Sequence, residues 1–138
     1  MKYTEARSFV TLMIVIAIFS LILRIAIEKI IKINISQNES DASSTLKLIS
    51  TALENYAKDN QGIFPSNLSI LIQTNPPYLD KDYIASSSVK GYNYICSRLE
   101  SSGYSCSASP VKCKLTGEML YTITTGNLLV SEECSKKE

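Results

Sequence analysis

The stretch "FVTLMIVIAIFSLILRIAI", residues 9–27, is apolar except at Thr11, Ser20 and Arg24. As a helix it rises about 28 Å, close to the hydrocarbon thickness of a bilayer. Arg24 would cost roughly 3 kcal/mol at the midplane, but it lies one turn from the end of the run and can extend its head to the interface. Lys2 and Arg7 precede the run and Lys29 and Lys32 follow it, so the balance of basic flanks sets no orientation. A cleavable secretory signal is the rival reading. The run is long for such a signal, however, and "RIAIEK" offers no small-x-small cleavage site, so the stretch reads as retained.

Working outward, the first glycine is Gly62 and the first proline Pro65, although the chain holds five Gly and four Pro. An opening of about sixty residues without a strong breaker permits a single helix up to roughly 90 Å long. Within it the polar interval "NISQNESDASS", residues 34–44, is poor in helix formers and is expected to bend or fray. Beyond that, Ala42, Leu46, Ile49, Leu53 and Tyr56 recur at spacings of four and three, one apolar stripe on a helix. So few turns cannot sustain a coiled-coil seam, and the stripe is read as packing on its own domain.

From Gly62 the texture changes to short elements punctuated by Gly and Pro. "GYNYICS" and "GYSCSAS" read as strands around a turn near "RLESS", and "MLYTITTGNLLVS" as a hairpin across Gly126-Asn127. The fold class is therefore α+β: a long N-terminal helix, apolar in its first half, packed on a small head of three or four antiparallel strands. The four cysteines, Cys96, Cys106, Cys113 and Cys134, lie in this head, and their irregular spacing favours two disulfides over a zinc site. Three pairings are formally possible. A register centred near residue 101 sets Cys96 opposite Cys106, leaving Cys113 for Cys134.

Composition narrows the function. No histidine is present, which removes His-based triads, proton relays and His-containing metal sites. Beyond Ile27 eleven Lys or Arg stand against twelve Asp or Glu, so no basic surface for nucleic acid is implied. No nucleophile and base assemble from any motif, and the chain reads as a non-enzyme without a cofactor.

In "IVIAIFSLILRIAI" and in "TALENYAKDNQGIFPSNLSIL" the chain resembles type IV pilins and type II secretion pseudopilins. The first segment is similar to the family's apolar helix and the second to its join between helix and head. The resemblance implies a leader-like segment at 1–8, a transmembrane and assembly helix at 9–27, its amphipathic continuation at 28–60 and a disulfide-bonded β-sheet head at 61–138. It implies a structural filament subunit held in the inner membrane, head outside the cytoplasm, before it joins a cell-surface or periplasm-spanning filament. The implied partners are its own copies, other pilins or pseudopilins, a prepilin peptidase and an assembly platform. The assembly helix would act through Phe9, Thr11, Leu12, Met13, Ile14, Ile16, Ile18 and Arg24, and processing with N-methylation would fall between Ser8 and Phe9. Two departures stand out. Ser8 occupies the position of the family's leader glycine, and Thr11 or Met13, depending on alignment, that of its glutamate. A tip subunit or an anchored binding protein is the alternative this implies.

Three lesser signals have plain explanations. Asn34, Asn38 and Asn67 begin N-x-Ser triplets of the kind Ser-rich segments generate by chance. Asp80 and Asp82 in "YLDKDY" are read as a solvated loop, not as calcium ligands. The eight tyrosines, among them Tyr78, Tyr83, Tyr92, Tyr94 and Tyr104, suit either an adhesive surface or ordinary sheet packing.

Overall fold

A computed structural model describes residues 2–135, with side chains from Ser8 onward, so most of the leader-like segment 1–8 lies outside the described side chains. Helix α1 runs Lys2–Asp59, as a breaker-free opening allows. The chain divides into two compact units, Met1–Asn34 and Ile35–Glu138, with the boundary inside α1.

In the second unit, α1 covers an antiparallel sheet of four strands: β1 (Tyr92–Glu100), β2 (Gly103–Pro110), β3 (Met119–Thr124) and β4 (Leu128–Glu133). The sheet order is β1-β2-β3-β4, and a short helix, α2 (Ser69–Gln73), adds Leu71 to the core. Ala42, Leu46, Ile49 and Leu53 are fully covered, and Tyr56 packs at the rim of the same cluster. Burial of each large side chain in this stripe contributes about 1.5–3 kcal/mol. The sheet answers with Tyr92, Tyr94, Tyr104, Cys106, Ala108 and Ile123. Most of the tyrosines singled out above are thus core, not an adhesive face.

The polar interval 34–44 is helical throughout and does not fray. Its low propensity, about 0.5 kcal/mol per residue, is outweighed by tertiary bonds of about 1.5–3 kcal/mol where a charge is involved. Asn38 donates from Nδ2 to the Thr116 carbonyl at 2.9 Å. The backbone N–H groups of Glu118 and Met119 both donate to Glu39 Oε1, at 2.8 and 3.2 Å. Lys90 reaches Asp41 at 2.9 Å.

Strand β1 continues to Glu100, so the turn is shorter than "RLESS" and holds only Ser101 and Ser102. An irregularity between Cys96 and Arg98 inserts Ser97 without a partner. This bulge moves the inward-facing phase from Tyr92, Tyr94 and Cys96 to Leu99, which breaks the alternation by which a strand is recognised. Cys96 stands opposite Cys106 and is bonded to it, and Cys113 is bonded to Cys134. The β3–β4 hairpin turns through Thr125, Gly126 and Asn127, with φ of 84° at Gly126 and 60° at Asn127, a region that Gly and Asn enter at least cost.

One polar cluster ties this hairpin to α1. Tyr104 donates its hydroxyl proton to Glu54 Oε1 at 2.9 Å, and the Gly126 N–H donates to the same oxygen at 2.7 Å. Ser50 Oγ lies 2.6 Å from the Tyr104 hydroxyl and donates to Asn127 Oδ1. Burial, opposed by Ser50 and aided by the Glu54 carboxylate, pushes the Tyr104 hydroxyl up to about 12, and burial also raises Tyr92 and Tyr94.

Two outcomes are expected of the detergent-solubilised full chain, followed by near-UV circular dichroism during denaturant unfolding. Leu46→Ala lowers stability by about 2–5 kcal/mol, while Ile95→Ala at the exposed outer face changes it by under about 0.5 kcal/mol. A phenol that holds its proton more tightly when folded gives its full contribution below pH about 10 and loses it as pH rises towards about 12. Stability should therefore fall across that interval, and less steeply in Tyr104→Phe.

Candidate membrane and assembly surface

Along α1 between Phe9 and Ile33, sixteen large apolar side chains are exposed, from 48% at Leu23 to 65% at Ile33. The consecutive positions Leu12, Met13, Ile14, Val15 and Ile16 are all among them, so at about 100° per residue the bare surface passes round the whole circumference. A helix docked on its own domain shows a covered stripe, as Ala42, Leu46, Ile49 and Leu53 do, whereas this segment shows none. At roughly 1 kcal/mol for each half-exposed side chain, the surface forgoes burial on the order of 16 kcal/mol. That is comparable to the entire stability of a typical domain, about 5–15 kcal/mol. Such a surface is costly to leave in water.

The helix is long and apolar enough to cross a membrane. Its backbone hydrogen bonds are internal, which is what hydrocarbon demands. Ser20 donates its hydroxyl proton to the Ile16 carbonyl at 2.8 Å, so this polar group is satisfied within the helix.

Phe9, Thr11, Leu12, Met13, Ile14, Ile16 and Ile18 all lie on this exposed run, and Ser8 immediately precedes it within the same helix. Arg24 is exposed as well, with Nε 3.7 Å from Glu28 Oε1. Glu28 was not among the residues expected to matter, although the i,i+4 spacing was there to be read. The four cysteines serve the head, as the two disulfides described above.

Broad grooves mark the head, and two of them have large volumes. One, of about 870 Å³, is bordered by Val111, Leu115, Leu120 and the Cys113–Cys134 bridge. The other, of about 570 Å³, is bordered by Tyr56, Pro76, Pro77 and Tyr78, whose hydroxyl donates to Asp59 at 2.6 Å. Among the described residues no three His, Cys, Asp or Glu side chains gather where a metal could sit. Asp80 and Asp82 are occupied locally: Tyr83 donates to Asp80 at 3.0 Å, and the N–H groups of Ile84 and Ala85 donate to Asp82 at 2.9 and 3.1 Å.

Ile18→Lys, at the centre of the apolar run, is expected to shift the chain from the membrane to the soluble fraction by about a hundredfold, from a cost of about 2.5–3.5 kcal/mol. Ile95→Lys on the head should leave the partition unchanged, and fractionation with immunoblotting reads both. Comparison with family models, with curated proteins and with solved structures finds no match.

Proposed function

We propose that the chain is a membrane-anchored structural subunit of a type IV pilus or type II secretion pseudopilus-like filament, with the apolar half of α1 serving first as anchor and then as assembly surface. The observation that carries this reading is the exposure of the large apolar side chains of α1 from Phe9 to Ile33 around the whole circumference of the helix. A rod that satisfies its own backbone can exchange lipid tails for neighbouring rods with little desolvation, because packing alone distinguishes the two surroundings. The resemblance of "IVIAIFSLILRIAI" to the pilin helix supports it. Two disulfides favour an oxidising compartment, which supports a head outside the cytoplasm.

A second reading, a tip subunit or an anchored binding protein, is favoured by Thr11 and Met13, since neither supplies a carboxylate to pair with a neighbour's buried amine. The experiment is fractionation of cells into membranes, sheared surface filaments and soluble protein, with mass spectrometry of the mature N-terminus. The chain is expected in membranes and filaments with residues 9–27 intact. Recovery as a soluble protein lacking those residues would overturn the proposal. A several-fold rise in filament incorporation on Thr11→Glu or Met13→Glu would favour the tip reading over the repeating subunit.

A further inference from the structure

Arg24 is the one charged residue within 9–27, and between Glu5 and Glu39 the only acidic residue is Glu28. The two are one turn apart on the same helix face, about 6 Å along the axis. Their nearest approach, 3.7 Å, is longer than a hydrogen bond, and their side chains are 82% and 65% exposed. A guanidinium carries five donors in a planar fork, so this loose contact leaves most of its bonding capacity for another carboxylate. Such a carboxylate lies on every other copy of the chain.

Building on the assembly reading above, we infer that Arg24 of one copy pairs with Glu28 of the next, and that this contact sets the axial register of helix against helix. Copies anchored in one membrane share a direction, so their helices meet parallel. In level register like charges face each other. A slip of one turn, about 6 Å, brings Arg24 of one copy beside Glu28 of its neighbour. The pair then retains one free charge of each sign, Glu28 on one copy and Arg24 on the other, for two further neighbours, the pattern of an open assembly instead of a closed pair. A lipid phosphate is the competing partner for Arg24, but Glu28 one turn away would repel that anion. Lys29 and Lys32, past the apolar run, are better placed for headgroups.

The test uses two differently tagged full-length chains, co-expressed and co-purified from membranes in mild detergent. R24E makes both positions acidic and E28R makes both basic. Wild-type copies should co-purify, each variant should associate with itself about tenfold less, and the acidic chain with the basic one should recover to near the wild-type level. A pairing confined within one chain, or made to lipid, cannot be restored by mixing. Equal self-association of E28R and wild type, with equal membrane content, would overturn the inference, as would a mixture of inserted chains no better than either alone. E28R keeps the test decisive should R24E insert poorly, because residue 28 lies beyond the apolar run. If wild-type copies themselves do not co-purify, the assembly reading fails; if they do and the charges are immaterial, only the register contact fails.

Discussion

A helix apolar on every side has few surroundings in which it is at rest. Its backbone asks nothing of its environment, since every interior N–H and C=O is paired within the helix. Its side chains ask only for other apolar atoms. Lipid tails and other apolar helices meet that demand about equally, and the difference between them comes from close packing and from the few polar groups on the surface. Ser20 is satisfied within the helix, whereas Arg24 and Glu28 are only loosely so. On the assembly reading proposed above, the bare surface would supply adhesion without direction, and the register of helix against helix would rest on Arg24 and Glu28.

The same helix behaves differently once its composition changes. From Ile35 onward the apolar residues other than the exposed Leu48 fall on one stripe, and polar residues beside that stripe reach into the head through Asn38, Glu39, Asp41 and Glu54. One secondary structure thus serves two kinds of surface, distinguished by where the apolar residues lie around its axis. Tyrosine does much of the filling on the sheet side. Tyr92 shows how closely: its ring occupies space that a side chain on Gly117 would claim, and its hydroxyl donates to the Met119 carbonyl at 2.8 Å.

Much of this was legible in the sequence, for reasons that differ by element. The apolar run and the Ala42 to Tyr56 stripe are local patterns that need no distant partner to be recognised. The pairing of Cys96 with Cys106 followed from hairpin register, another short-range property. The helicity of residues 34–44 was hidden because the groups that hold it lie 78 and 80 residues away, at Thr116 and Met119. The far end of β1 was hidden because Ser97 shifts the inward phase of the strand in mid-course. Whether tyrosines face core or solvent could not be read from composition, since an amphipathic ring suits either place until the sheet has a covered side. In the candidate surface the apolar coat was evident at once, while Arg24 was read against the membrane alone, without the acid one turn further along.

The Cys113–Cys134 bridge closes the chain immediately after β4 ends at Glu133. Strands at the margin of a sheet ordinarily peel from a free terminus, one hydrogen bond after another. Here the end of β4 is covalently held, Cys134 N–H also donates to the Glu118 carbonyl at 2.8 Å, and the opposite end of the hairpin is gripped by Glu54 at Gly126. At the other margin the Cys96–Cys106 bond fastens β1 to β2. A disulfide thus anchors each margin of the sheet, β1 through Cys96 and the end of β4 through Cys134.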